Sequence, residues 1–312
     1  MPTNVVLLGS STFAIPTAEM LLRSREYALK ATITRPDEPA GRGLPVAPPP
    51  LADWSRANKI ALNQPKTRSE LTATIRSIAP EVAIVAAYGK IIPQEALAMP
   101  RFGFVNIHPS LLPRYRGASP IQAAIANGDE KTGVTIMLLD EQLDHGPIIA
   151  QKGVPLSPTE THIELERKLA KHGAELLKQN LPDYLSGKLT PVPQEHNLAT
   201  TTPLLTREHG RIDWRESAVT IERKIRAYEG WPGTWCLLPD GSRLKILRAS
   251  IGGPANRKPG EMTGNGQLQV VCGNDTSLIL EEVQREGGRP QSSIAFFRGY
   301  RGGTTLPIQI DL

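Results

Sequence analysis

The stretch NVVLLGSSTFAIPTAEMLLRS, residues 4–24, decides the fold class of this chain. Its first six residues form an apolar run that ends in Gly9, as expected of a buried strand. Apolar residues then repeat at helical spacing, at Ile15, Ala18, Leu21 and Leu22. A strand that passes through a short turn into a helix predicts the first unit of a parallel α/β sheet.

The same alternation of strand and helix continues as far as residue 185. Apolar runs predict strands at 28–34, 82–87, 104–108 and 133–138. Helical periodicity predicts helices at 51–58, 71–78, 118–126 and 161–185. This order predicts a Rossmann-like, mostly parallel sheet, in which ligands bind beyond the carboxyl ends of the strands.

The remainder of the chain has a different pattern. Residues 188–206 contain three prolines and no periodicity, so we predict a linker. After one predicted helix at 216–228, the chain has short alternating runs such as TWCLL, RLKIL, LQVVC and SLILEEV. These runs predict a smaller β-barrel domain, OB-like in type. The expected domains are therefore 1–187, which forms the α/β sheet, and 207–312, which forms the barrel.

Composition limits the classes of function. The 312 residues are 39% hydrophobic and 21% charged, which excludes disorder as the main state. The 36 Lys and Arg against 31 Asp and Glu give a net charge of +5, which permits a polyanionic partner without requiring one. Aromatic residues are only 5%, which argues against extended stacking of single-stranded bases as the main activity.

The ends of the chain and its cysteines indicate the compartment. No apolar run reaches about 18 residues, so no membrane-spanning helix is expected. The opening MPTNVVLLGS lacks the charged start and cleavage site of a signal peptide, which favours a cytoplasmic protein. Cys236 and Cys272 lie far apart without a CxxC pair, so we expect two buried thiols rather than a disulfide framework or a zinc site.

The candidate chemistry lies in NIHPSLLPRYRGASPIQ, residues 106–122. Asn106 and His108 are two residues apart on a predicted strand, so their side chains share one face. An Asn amide can donate to a developing oxyanion, and an imidazole can donate or move a proton near neutral pH. On this pattern alone, a structural histidine that caps the strand end is the favoured interpretation.

Two acidic residues, Asp140 and Asp144, follow the next predicted strand in GVTIMLLDEQLDHGPI, residues 133–148. A carboxylate on this loop could reach His108 and fix the tautomer of its ring. Taken alone, both residues are more typical of solvated loop carboxylates.

Together these motifs resemble the formyl-folate-dependent formyltransferases, and within them the methionyl-tRNA formyltransferases. The likeness extends over nearly the whole chain through VVLLGSSTFAIP, RPDEPAGRG, VAAYGKIIP, GRIDW, AYEGWPGTW and LKILRA. Near the end, PGE, QREGGRP and FFRGYRGG also fit. Several ordered motifs across both halves make a chance match implausible.

The resemblance implies transfer of the formyl group of 10-formyltetrahydrofolate to the amino group of methionyl-initiator-tRNA, by a cytoplasmic monomer of bacterial type and without a metal. It implies that Asn106, His108 and Asp144 are the catalytic residues. The folate-binding residues that it implies are Tyr88, Gly89, Ile91, Ile92, Ser110, Leu111, Leu112, Pro113, Asp140 and Gln142.

The resemblance also places Gly41, Arg42 and Gly43 on a loop that contacts tRNA. Such loops usually continue with lysines, whereas this chain continues with LPVAPPP, residues 44–50. Leu204 likewise stands where family members often have a lysine. We therefore expect fewer phosphate contacts than is usual, and a shallow dependence of tRNA affinity on salt.

Three other functions are compatible with part of this motif pattern. A sugar-nucleotide N-formyltransferase would share the catalytic motifs and often has a small second domain, but the Arg42 loop and the GRIDW and GWPG motifs favour tRNA. An RNA-binding protein with an inactive core is disfavoured by the intact Asn106, His108 and Asp144. A formyl-folate hydrolase, with water in place of the amine, is separated by an assay without acceptor.

Overall fold

The computed structural model describes residues 1–39, 45–264, 268–300 and 302–307. Its chain divides into two compact units. The first contains Met1–Pro120, Lys131–Pro155 and Leu165–Pro203, and the second contains Ile121–Glu130, Leu156–Glu164 and Leu204–Leu312.

The helices and strands follow the predicted order closely. The helices are α1 (Ile15–Arg23), α2 (Pro50–Ala57), α3 (Arg68–Ile78), α4 (Gln94–Leu97), α5 (Pro120–Asn127), α6 (His162–Leu185), α7 (Ala218–Ala227) and α8 (Ser293–Gly299). The strands of the first unit are β1 (Thr3–Gly9), β2 (Tyr27–Ile33), β3 (Glu38–Pro39), β4 (Val46–Ala47), β5 (Leu62–Asn63), β6 (Val82–Ala86), β7 (Phe104–His108), β8 (Arg116–Gly117), β9 (Lys131–Leu138), β10 (Ile148–Pro155) and β11 (Thr201–Thr202). The strands of the second unit are β12 (Thr234–Leu237), β13 (Arg243–Ile251), β14 (Met262–Gly264), β15 (Leu268–Cys272), β16 (Thr276–Arg285) and β17 (Gln291–Ser292).

The first unit has a seven-stranded sheet in the order β10-β9-β7-β6-β1-β2-β5. The five strands β7, β6, β1, β2 and β5 are parallel, which confirms the Rossmann-like prediction. The strand order changes direction between β1 and β6, and α/β sheets bind ligands beyond the carboxyl ends at such a point. The Ser10 hydroxyl donates to the Tyr88 carbonyl over 3.2 Å and so ties these two strand ends together.

The sheet is mixed, because β9 runs antiparallel to β7 and β10 runs antiparallel to β9. The short segment 139–147 joins β9 to β10 without a crossover helix, as an antiparallel connection allows. As a result, Leu139 leaves β9 beside Phe104, at the amino end of β7, where its N–H donates to the Phe104 carbonyl over 2.8 Å.

The second unit has an antiparallel sheet in the order β12-β13-β16-β15-β14, with β17 paired to β16. The sheet curls as a half-barrel, which confirms the prediction of a β-rich second domain of this class. Its core includes the completely buried Trp214, together with Ile221 of α7 and Leu244 of β13. Cys236 and Cys272 are free thiols buried in the same core, and burial raises the pKa of each to about 12.

Within the described part of the chain, none of the helices is long and apolar enough to span a bilayer.

Candidate active site

Asn106 and His108 lie on β7, and both side chains are nearly buried, at 9% and 4% exposure. Between them, Ile107 points to the opposite face, where α6 packs. A β-carbon at Gly173 of this helix would lie 2.6 Å from the Ile107 side chain, so the helix approaches as closely as a glycine permits. The alternation of the strand therefore places Asn106 and His108 together on the face away from α6.

The His108 ring lies beside the Asp144 carboxylate. Its Nδ1 is 3.6 Å from Asp144 Oδ1, and its Nε2 is 2.9 Å from the Tyr115 carbonyl oxygen. Because a carbonyl oxygen only accepts hydrogen bonds, Nε2 carries a hydrogen and donates it. The Asp144 carboxylate is fixed in turn by the N–H of Gly117, which donates to Oδ2 over 2.8 Å.

This arrangement determines which atoms can act on a substrate. The His108 Nε2 is engaged by the main chain, so Nδ1 is the nitrogen left for proton transfer. At 3.6 Å from Asp144 Oδ1, Nδ1 is beyond hydrogen-bond length. It can therefore accept a proton from a substrate atom, and in the protonated ring it can donate one. The Asn106 amide makes no hydrogen bond to any described residue, so its N–H groups are also available to a substrate oxygen. An amide donor and a ring nitrogen that can take up or release a proton, both beside a carboxylate, suit a reaction that develops an oxyanion and moves a proton.

The loop after β7 is shaped by its own hydrogen bonds. The Ser110 hydroxyl donates to the Arg114 carbonyl over 2.7 Å, which commits this hydroxyl to the loop. The Thr135 hydroxyl donates to the Ser110 carbonyl over 2.7 Å and accepts from the Leu112 N–H over 3.1 Å. Ser110 and Leu112 are buried, whereas Leu111 and Pro113 are half-buried. Of the four residues predicted to bind folate here, Leu111 and Pro113 thus offer the accessible side chains.

The residues predicted after β6 divide between core and surface. Tyr88 is 2% exposed and packs in the core of the sheet, and burial raises the pKa of its hydroxyl to about 12. That hydroxyl has no hydrogen-bond partner among the described residues. Gly89 has a positive φ of 75°, which lets the chain turn away from the strand end. Ile92 packs against the core, and Ile91 is 71% exposed, an apolar side chain next to the strand ends.

Asp140 and Gln142 lie on the β9–β10 loop, which begins at the opposite end of the sheet from the one that the sequence predicts. The sequence implies a loop after a parallel strand, but β9 is antiparallel, so the loop starts at the amino end of β7 and folds back to bring Asp144 to His108. Asp140 Oδ2 lies 2.6 Å from His145 Nδ1. Gln142 is exposed, and its N–H donates to Asp140 Oδ1 over 2.9 Å. A role for these two residues in folate binding stays a prediction.

The predicted tRNA contacts Gly41, Arg42 and Gly43 lie outside the described residues. Leu204, where the family resemblance expects a lysine, is 78% exposed. The described residues contain no group of three or more His, Cys, Asp or Glu side chains arranged to hold a metal ion.

Sequence reasoning missed several residues that support the site. Gln151 of β10 donates to the Thr135 hydroxyl over 2.9 Å and to the Leu112 carbonyl over 2.7 Å. Gln194 is buried beside the Asp144 loop and bonded to Arg116. For Thr135 the signal was available, since a polar residue in a buried strand usually has a specific partner. Gln151 lies exposed on the edge strand β10, where a polar residue needs no such partner. Gln194 lies in an aperiodic segment that gave none.

Comparison with known proteins now adds the family. Residues 3–181 match the model described as formyl transferase, and residues 204–301 match the model described as formyl transferase, C-terminal domain. A methionyl-tRNA formyltransferase of Roseiflexus castenholzii is 42% identical over 315 residues, covering 98% of this chain and 99% of the relative. One of Myxococcus xanthus is 40% identical over 302 residues, covering 96% and 95%.

Solved structures share the fold at lower identity. HypX from Aquifex aeolicus in complex with tetrahydrofolic acid superposes with a TM-score of 0.67 at 17% identity, over 95% of this chain and 47% of that one. An N-formyltransferase from Helicobacter canadensis with folinic acid and dTDP-3-aminofucose gives a TM-score of 0.64 at 16% identity, over 92% and 100%. The family matches in both units and the full-length relatives show that this chain belongs to the formyl transferase family.

Proposed function

We propose that this protein transfers the formyl group of 10-formyltetrahydrofolate to the free amino group of methionyl-initiator-tRNA. The observation that carries the proposal is the unengaged Asn106 amide beside the buried His108–Asp144 pair. The acceptor is supported by relatives about 40% identical over both units that are named methionyl-tRNA formyltransferases.

The residues account for each part of such a transfer. The amine of methionine forms a bond to the formyl carbon, and the bond from that carbon to the folate nitrogen breaks. The oxygen of the formyl group gains negative charge on the way. In the proposed mechanism the Asn106 amide donates to it, and so does the Nδ1 hydrogen that His108 carries when its ring is protonated. The amine loses a proton and the folate nitrogen gains one. Asp144, next to Nδ1, stabilises the positive ring while this proton moves.

The formyl-folate would lie at the carboxyl ends of β6 and β7, near the change in strand order. Leu111, Pro113 and the exposed Ile91 offer apolar surface to its ring system there. Asp140 and Gln142 complete the proposed set from the β9–β10 loop. Tyr88 and Ser110 contribute by shaping the walls, since the Tyr88 ring lies in the core and the Ser110 hydroxyl is bonded to Arg114.

We propose that residues 207–312 form a domain that helps to hold the tRNA, after a linker at 188–206. A groove of about 280 Å³ in the second unit supports this. Four cationic side chains and one acidic side chain, that of Glu286, line it, and the cations are Arg207, Arg243, Lys245 and Arg285. Trp231, 54% exposed, lies at the same groove. Cations with an exposed indole suit a phosphate backbone and an unstacked base.

The test compares acceptors with one labelled donor. Protein and 10-formyltetrahydrofolate labelled in the formyl group are incubated with charged initiator tRNA, charged elongator tRNA, an amino sugar nucleotide, or no acceptor. We expect label on initiator methionyl-tRNA. We propose further that the enzyme is a monomer and acts in the cytoplasm. Label on the sugar alone would replace the proposal with a sugar-nucleotide N-formyltransferase, and free formate without acceptor would indicate a hydrolase.

A further inference from the structure

Gln194 lies in the segment 188–206 that the sequence predicts as a linker, yet it is only 5% exposed. Its Nε2 donates to the carbonyl oxygens of Asp144 over 2.9 Å and of Gly146 over 2.8 Å. Its Oε1 accepts from Arg116, over 2.7 Å from Nη2 and 3.2 Å from Nε. Every polar atom of this buried amide is therefore engaged, and two of its bonds go to the loop that carries the catalytic carboxylate.

The orientation of this amide is fixed by chemistry. Both loop carbonyls only accept hydrogen bonds and the Arg116 guanidinium only donates them, so Gln194 must present its NH₂ to the carbonyls and its oxygen to Arg116. A carboxylate in the same place could serve Arg116 but not the carbonyls. An apolar side chain could serve neither.

The loop needs such support because of its own backbone. Asp144 has a φ of 49°, in the left-handed region that residues other than glycine rarely adopt. A β-carbon on Gly146 would collide with the Leu138 carbonyl, so the turn after Asp144 is also tight. The two bonds from Gln194 bracket this turn and oppose its relaxation.

Arg116, which bonds Gln194, is also adjacent in the chain to the residue that holds the Asp144 carboxylate. The next residue, Gly117, donates its N–H to Asp144 Oδ2, so one short strand contacts both the main chain of Asp144, through Gln194, and its side chain. Arg116 Nη2 also lies 2.8 Å from His196 Nδ1. Partial loss of hydration, with His145 and Arg116 nearby, lowers the pKa of His196, and a neutral ring can accept this bond.

We propose that Gln194 is a positioning residue for the transfer reaction, which fixes the Asp144 loop so that the carboxylate stays beside His108. It acts through Asp144 and does not touch the substrate. The inference rests on the proposed function, since its measure is the rate of formyl transfer to methionyl-tRNA.

The test is a double-mutant cycle between Gln194→Met and Asp144→Asn. Gln194→Met keeps the length of the side chain and removes all four bonds. We expect kcat for formylation of methionyl-tRNA to fall on the order of 10²-fold, with KM for tRNA and for formyl-folate within about 2-fold of wild type. In the Asp144→Asn background, the same change is expected to lower kcat by less than about 3-fold, because the carboxylate that Gln194 positions is already gone. Gln179→Met, on the exposed face of α6, is the matched control and should change nothing.

Three outcomes would overturn the inference: equal losses in both backgrounds, a rise in KM at unchanged kcat, or wild-type kcat in Gln194→Met. If Gln194→Met does not fold, Gln194→Asn, one methylene shorter, is expected to show the same loss of kcat and the same dependence on Asp144. The wild-type reaction tests the proposed function separately. If the wild-type protein does not formylate methionyl-tRNA, the proposed function itself is refuted.

Discussion

Replacing Asp144 by asparagine removes one charge from the candidate site and almost no volume. In the structure Asp144 Oδ2 accepts from the Gly117 N–H. An asparagine can keep this bond only through its carbonyl oxygen, so its NH₂ must turn toward His108 Nδ1. The substitution thus replaces the carboxylate by a donor at the nitrogen that the proposed mechanism uses.

The size of the effect follows from the 3.6 Å between His108 Nδ1 and Asp144 Oδ1. Two unit charges at this distance interact by about 4.6 kcal/mol at an effective dielectric constant of about 20. At about 1.4 kcal/mol for each tenfold in rate, the full loss is about 10³-fold. Solvent and the remaining amide dipole recover a part, so we expect Asp144→Asn to lower the rate of transfer between about 10²-fold and 10³-fold.

The assay is single-turnover formation of formylmethionyl-tRNA, with enzyme in excess and formyl-folate saturating. Asp183→Asn removes an exposed carboxylate from α6 and serves as the matched control. A rate for Asp144→Asn within about 3-fold of wild type would refute the electrostatic argument. A loss confined to the KM of either substrate would also refute it, because the charge would then act in binding and not in the transition state.

Four further predictions concern other parts of the chain. Gly117→Ala should destabilise the protein by about 1–3 kcal/mol in denaturant titrations, because φ is 108° and the new methyl meets the Thr202 carbonyl; unchanged stability would contradict this. Arg42→Ala should weaken tRNA use by about 1–3 kcal/mol in kcat/KM, without affecting formyl-folate, since no lysine follows in the loop; intact tRNA formylation would contradict a tRNA contact. Trp231→Ala should weaken tRNA binding by about 1–3 kcal/mol in filter binding; equal affinity would remove the groove from the tRNA surface. Cys236 and Cys272, with pKa values of about 12, should react with a thiol reagent at pH 8 only after unfolding; fast reaction of the native protein would contradict their burial.

The bounds of the strand that carries the site could be predicted to the residue. This strand, β7, begins with the apolar residues Phe104 and Val105 and is bounded by Gly103 and Pro109. The spacing of Asn106 and His108 then fixed their common face, since side chains alternate on any strand. The role of Asp144 was predicted from the family resemblance. Its position beside His108 results from the antiparallel direction of β9, which the sequence pattern did not indicate. Periodicity alone does not give the direction of a strand; the lack of a helix between β9 and β10 was the available signal.

Gln194 shows where prediction from sequence stops. A glutamine between prolines in an aperiodic segment is normally solvated, and nothing local indicates that its amide meets two carbonyls 48 and 50 residues away. Its burial is decided by tertiary contacts of the Asp144 loop and Arg116. Gly117 is similar, because its positive φ and its bond to Asp144 depend on a short strand pair with Thr202 that the pattern does not reveal.

The most direct test of the account is the His108→Ala variant in formylation of methionyl-tRNA with both substrates saturating. Asn106 and Asp144 are proposed to act with this ring in one transition state, so its loss should lower turnover about 10²-fold or more while formyl-folate binding changes little. His172→Ala, on α6, is the control and should keep wild-type turnover. Near wild-type turnover of His108→Ala on initiator methionyl-tRNA would contradict the mechanism, whatever the fold and the family of the chain.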